Sequence, residues 1–250
     1  MKHRTLLFSS LLYASLLVSC GKTSTFPHCN LVTLTDSTTS VQSVASFTYD
    51  EQNRVTNVVV TGAKACTRTY TYLGNKVIFN VTDTTPGILM ETDTLMMNSF
   101  NLISTQSTRY ITNGTTEFKT YFYDNTGNPL SSIATDNGLP GDTLIYSTQN
   151  GDLLYETVKG KSVHKNDFTY YSGQDFVKGD PTDFRQYFYY GGLYYQNKHM
   201  LYELYTTGKS YKRYAYSFVD NRIKQVYLRQ WTAPDTDTVT HYINYTYNCK

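Results

Sequence analysis

A six-residue hairpin signature recurs along this 250-residue chain and confines the fold to antiparallel β-structure. Tyr72-Leu-Gly-Asn-Lys-Val77 matches Phe218-Val-Asp-Asn-Arg-Ile223 position for position, and Tyr194-Tyr-Gln-Asn-Lys-His199 is a looser third copy. A longer version runs Phe47-Thr-Tyr-Asp-Glu-Gln-Asn-Arg-Val55 and Tyr121-Phe-Tyr-Asp-Asn-Thr-Gly-Asn128, with weaker echoes near Tyr146 and Phe168. The recurrence interval is roughly 23–26 residues, the length of two strands with their turns. Side chains alternate along a strand, so both rings of a Tyr-x-Tyr triplet take one face. Gly74-Asn75 and Asp220-Asn221 tolerate the positive φ that a two-residue hairpin turn requires. Such turns set Tyr72 opposite Val77, Tyr70 opposite Phe79, Phe218 opposite Ile223 and Tyr214 opposite Tyr227. In the longer version Asn53 or Gly127 takes the left-handed position, and Asp50 and Asp124 close the first strand by accepting turn amides.

The rest of the chain agrees. Twenty-five Tyr and 12 Phe, with abundant Thr, favour pleated, half-buried surfaces. The fold expected is all-β: a large antiparallel up-and-down meander, curved or closed into a barrel-like sheet of roughly 12–16 strands. The strongest hairpins fall at 42–61, 66–82, 117–135, 144–158 and 211–231, with irregular segments at 172–186 and 232–238. No composition break divides residues 28–250, so they form one domain. Positions opposite the rings carry Thr69, Thr71, Lys76, Ser217 and Lys224, and the ring-bearing faces are expected to include Asn57 and Gln225. A lipid-facing strand needs an apolar side chain at every second position. The pattern therefore predicts a water-exposed barrel.

The N-terminus carries an address. Lys2, His3 and Arg4 precede an apolar run from Leu6 to Val18, too short to span a bilayer, which takes roughly 20 residues. Leu17-Val-Ser-Cys20 ends this run and resembles a bacterial lipobox. The resemblance implies removal of residues 1–19, acylation of Cys20 and a lipidated tether over 20–27. Processing removes Lys2 and Arg4, which takes 22 Lys+Arg against 20 Asp+Glu to 20 against 20. The mature chain is then near neutral with no basic stripe, and no nucleic-acid partner is expected. Gly21, by resemblance to lipoprotein sorting rules, favours the outer membrane, and the lack of an acidic cluster after Cys20 favours its periplasmic face.

The hairpin motif resembles the tyrosine-aspartate (YD) repeat. Across residues 28–249, including Tyr245-Thr-Tyr-Asn-Cys249, the chain resembles an uncharacterised Bacteroidota lipoprotein family of unknown function with a porin-like antiparallel β-meander. That resemblance implies an envelope barrel without an assigned activity. YD-repeat shells wrap a cargo with far longer chains, so encapsulation does not transfer.

In the oxidising export compartment Cys29, Cys66 and Cys249 remain after Cys20 is taken by lipid. A meander holds Cys29 and Cys66 at opposite strand ends, on the order of 15 Å apart and beyond disulfide reach. Cys29 and Cys249 lie on the first and last strands, which meet if the sheet closes; that pair is preferred, with three reduced or mispaired thiols as the alternative. His28, His164, His199 and His241 are scattered, and His199 occupies a packed position of the repeat. Asp175, Asp180 and Asp183 lack the spacing of a calcium loop and, like Asp235 and Asp237, belong to solvated loops. No metal site, cofactor or catalytic constellation is expected. Tyr187, Tyr189, Tyr190, Tyr194 and Tyr195 form the densest ring cluster; such a run packs across strands more often than it offers stacking surfaces to a ligand. The function expected is a non-enzymatic binding or interaction module tethered to the outer membrane, with this cluster touching a glycan, a hydrophobic ligand or an envelope protein. The alternative is a periplasmic carrier or chaperone for lipid or lipoprotein, with segment 172–186 as its lid.

Overall fold

The computed structural model describes residues 29–38, 41–62, 65–83, 87–161, 163–175, 197–208, 210–232 and 238–249. They form sixteen strands: β1 (Cys29–Ser37), β2 (Gln42–Tyr49), β3 (Val55–Gly62), β4 (Cys66–Leu73), β5 (Lys76–Asp83), β6 (Leu89–Met97), β7 (Ile103–Tyr110) and β8 (Thr116–Tyr123), then β9 (Pro129–Asp136), β10 (Leu139–Gln149), β11 (Asp152–Lys159), β12 (His164–Asp175), β13 (His199–Thr206), β14 (Ser210–Val219), β15 (Arg222–Thr232) and β16 (Thr238–Cys249). Each strand pairs antiparallel with its sequence neighbours, and β16 returns to pair with β1. The all-β meander is a closed barrel, and closure leaves no exposed strand edge.

The turn chemistry sets the register as expected for most hairpins. Tyr72 faces Val77 and Tyr70 faces Phe79, whose rings stack with centroids 4.9 Å apart. Asp220 and Asn221 both adopt positive φ, as do Gly74, Asn53 and Gly127. The Asp50 carboxylate accepts from the amides of Gln52 and Arg54, each at 2.9 Å. Asp124 accepts from Thr126 and Asn128 in the same way. These hydrogen bonds hold the Asp50 carboxyl below the usual range for the group, and the Asn128 and Thr126 side chains, with the same amides, do so for Asp124.

Three expectations are corrected. Tyr214 faces Leu228, and Tyr227 faces Ala215, because a bulge between Ser217 and Phe218 slips the ladder by one residue. Slippage also changes which side a residue serves. Asn57 shares a row with Thr48 and Thr69, and Gln225 shares one with Ser217 and Asn244, so both belong to the outer wall. Finally, β12 extends to Asp175, so residues 172–175 are strand; residues 232 and 238 likewise end strands.

The bulges explain the recurrent tyrosines. On β1, β3, β7, β11 and β13 a bulged residue (Val32, Thr56, Ser104, Leu154 and Tyr202) has no partner opposite it on the preceding strand, or on β16 in the case of β1. The carbonyl just before each bulge accepts a tyrosine hydroxyl from the following strand. Tyr49 donates to Leu31 at 2.7 Å, Tyr72 to Val55 at 2.9 Å, and Tyr123 to Ile103 at 2.8 Å. Tyr170 donates to Leu153 at 2.8 Å and Tyr216 to Leu201 at 2.7 Å. One ring thus fills the core while its hydroxyl satisfies backbone where the ladder is interrupted.

The two barrel ends differ inside. One, here the terminal rim, carries the first residue of β1, the last of β16 and the turns after β2, β4, β6, β8, β10 and β14. Its interior is apolar: Val58, Val77, Phe79, Leu95, Ile103, Met200, Ile223 and Val226 are buried in one cluster. Towards the far rim the inward rows turn polar, with Arg68, Glu91, Asp93, Thr108, Glu117 and Lys119 on β4 to β8.

Candidate functional sites

The ring cluster Tyr187–Tyr195 and Cys20 lie outside the described residues, as do Asp180, Asp183, Asp235 and Asp237. The other cysteines are placed. Cys29 and Cys249 face each other at the terminal rim and are joined by a disulfide, with the Arg222 guanidinium against both sulfurs. Cys66 is a buried free thiol near the far rim, and burial pushes its pKa up.

Two histidines have acidic partners that the sequence pattern did not reveal. His199 Nδ1 lies 2.6 Å from Asp152 Oδ2, and its backbone amide donates to Asp152 Oδ1 at 2.8 Å. It therefore occupies a half-buried position on β13, packed against the Asp152 carboxylate. His241 Nδ1 lies 2.9 Å from Asp36 Oδ1 across the β16–β1 seam. Both partners come from residues distant in sequence, 47 and 205 positions away, so local spacing carried no signal.

The polar half of the interior centres on Asp93. Gln106 Nε2 donates to Asp93 Oδ1 at 2.8 Å, Thr108 Oγ1 donates to the same oxygen, and Tyr121 donates to Gln106 Oε1 at 2.9 Å. Asp93 is 1% exposed, and its Oδ2 is buried with no donor. Glu91 is two residues along the same strand and so on the same face. Burial, then hydrogen bonding to Asp93 and its charge, raise Glu91 to about 8. A protonated Glu91 can donate to the Asp93 carboxylate, the hydrogen bond that contributes to its raised pKa. Glu117 is paired with Lys119 on β8. Among the described residues no three His, Cys, Asp or Glu side chains are placed to hold a metal ion.

Outside, two surfaces differ from the Thr- and Ser-rich wall. On β8 to β10, Phe118, Phe122, Leu130, Ile133 and Ile145 are exposed, interleaved across strands with Thr120, Ser131 and Thr143. On β13 to β15, Tyr205, Tyr211 and Trp231 occupy one row of the ladder. Tyr205 and Tyr211 have centroids 6.3 Å apart, and Tyr211 and Trp231 4.4 Å. The adjacent row holds Glu203, Arg213 and Arg229.

Neither a family model nor a curated protein matches the chain. Solved structures resemble it, two porin-like proteins among them. A porin-like protein from Bacteroides vulgatus, 12% identical, aligns over 87% of this chain and 98% of its own with a TM-score of 0.41. A porin-like protein from Bacteroides uniformis, 15% identical, aligns over 89% of this chain and 98% of its own with a TM-score of 0.66. The second likeness spans nearly the whole of both molecules, and what the two share is the antiparallel barrel fold.

Proposed function

We propose that the protein is an envelope lipoprotein whose barrel stands in water as a non-enzymatic binding module, held at the outer membrane by lipid on Cys20. The observation that carries this reading is the distribution of polarity across the wall. Outward rows on β1 to β7 consist largely of Thr33, Thr35, Ser46, Thr48, Thr67, Thr69, Asn80, Thr92, Thr94 and Ser107, whereas the buried apolar side chains point inward. A barrel embedded in lipid needs the reverse, an apolar band around its whole circumference. The exposed apolar group on β8 to β10 covers three strands of sixteen. The porin-like neighbours fit an envelope location, and the lipobox-like segment supplies an attachment that the barrel wall does not. Side chains packed at the terminal rim, Phe79 and Leu95 among them, favour a module that binds at its surface over a carrier that encloses its cargo.

Fatty-acid labelling and carbonate extraction of membranes test this. The full chain is expected to take up an alkyne fatty acid and to lack residues 1–19, and Cys20→Ser to be unlabelled and extracted as a soluble protein. A mature chain that keeps its first nineteen residues, or a Cys20→Ser protein that stays in carbonate-washed membranes, would overturn the reading.

A further inference from the structure

We propose that the outward row Tyr205, Tyr211 and Trp231, with Arg213 and Arg229 beside it, is a binding platform for an acidic oligosaccharide. The proposal rests on the binding-module reading and gives that module a site and a ligand class.

Three observations converge. The rings sit on adjacent strands with centroids 6.3 and 4.4 Å apart along the row, each tilted to the next, and so form a run of neighbouring aromatic faces rather than isolated contacts. Tyr205 is 44% exposed, so the surface is open to a ligand; beyond it the row continues to Asp167 on β12, whose carboxylate is held by Lys165. Most telling is the charge. Arg213 and Arg229 stand directly opposite each other on β14 and β15, an arrangement that like-charge repulsion disfavours. Glu203 engages Arg213, with Nε at 2.8 Å from its carboxylate. Arg229 lies over the Trp231 ring at 5.5 Å and has no carboxylate in ion-pair distance among the described residues. The platform thus carries an excess guanidinium set over its largest ring.

A sugar ring presents an apolar C–H face and a rim of hydroxyls. Aromatic faces match the first, and Glu203 with the guanidiniums can hydrogen-bond the second. A carboxylate or sulfate on the sugar would meet Arg229 as a charge-assisted pair and relieve the Arg213–Arg229 repulsion. A neutral glycan would leave that repulsion in place. A phospholipid headgroup offers the anion but no flat face for three rings in a row.

Trp231 is the only tryptophan, so its emission reports on the platform directly. The full-length lipoprotein in detergent is titrated with an oligogalacturonate, with a malto-oligosaccharide of equal length, and with phosphatidylglycerol vesicles. The expected result is a saturable change with the oligogalacturonate, weakened at least about tenfold in Arg229→Gln and in Tyr211→Ala. Phe118→Ser, on β8, should bind as the parent does and controls for general damage. The inference is overturned if the oligogalacturonate leaves Trp231 emission unchanged, if Arg229→Gln binds it equally well, or if the neutral sugar or the vesicles give the stronger response. Labelling of Cys20 is read separately, so loss of saccharide binding would leave the anchored-module reading intact.

Discussion

At the scale of single residues, the tyrosine hydroxyls and the Glu91–Asp93 pair make the sharpest demands. Burial pushes the Tyr72 hydroxyl up to about 12, so it remains a protonated donor to the Val55 carbonyl at every physiological pH. Tyr72→Phe keeps the ring and removes only that hydrogen bond, and should cost about 1–3 kcal/mol because a partly buried carbonyl loses its donor. Urea denaturation measures the difference, and an unchanged midpoint would mean the carbonyl finds water. For Glu91 the pKa is raised in the fold, from 4.5 to about 8. A carboxyl of this kind favours the folded state while protonated, so its contribution is complete below pH 4.5 and is lost as pH rises towards 8. Glu91→Gln should abolish this slope: melting temperatures at pH 5 and pH 8.5 should differ less in the variant than in the parent. The rings were legible in the sequence as strand markers. Their hydroxyl partners were not, because each acceptor depends on a bulge in a neighbouring strand. Glu91 and Asp93 show the same limit: Glu-x-Asp announces a shared face, but only the pairing of Asp93 with Phe79 and Thr108 makes that face the inner one.

Among the strands, turns and bulges divide the work of register. The turns at Gly74 and at Asp220-Asn221 carry their φ preference in their composition, and the β4–β5 pairing follows from it without error. Bulges have no comparable local code. One between Ser217 and Phe218 was enough to move Tyr214 from Tyr227 to Leu228 and to turn Gln225 outward. The outer wall is consequently more polar, and the inner wall more apolar, than strict alternation through the repeat implied. Gly62 marks where β3 closes on β2. Its φ is +97°, and a Cβ there would come within 2.1 Å of the Gln42 carbonyl oxygen. Gly62→Ala should displace backbone rather than a flexible side chain and destabilise the protein by about 1–3 kcal/mol, visible as faster amide exchange in β2 and β3 than elsewhere. Uniform protection across the sheet would show that the strands absorb the methyl group.

Over the whole molecule, closure depends on one seam. Strands β1 and β16 are the first and last described strands, and their contact spans 220 residues of sequence at Cys29–Cys249. Such a distant pairing is expensive to form by chain entropy, and a cross-link there restricts the unfolded chain strongly. Removing it with Cys29→Ser and Cys249→Ser should cost about 2–5 kcal/mol, measured by thermal unfolding against the parent under non-reducing conditions. The meander could be anticipated because hairpins and strand number agreed; its closure could not, since a curved open sheet fitted the same pattern and the terminal cysteines meet only if the sheet closes. The platform on β13 to β15 could not, since Tyr205, Arg213 and Trp231 come from three strands and only become a surface once the barrel is assembled.

The placement of that sulfur bridge has a mechanical meaning. Cys29 is where any strap running from the membrane would enter the sheet, and Cys249 lies directly across from it. A tug from the envelope would otherwise peel β1 away like a zipper, one backbone contact after another. With a covalent rivet at the point of entry, a load carried by the proposed anchor would pass at once into two strands on either side of the seam, and the barrel would be pulled as a unit.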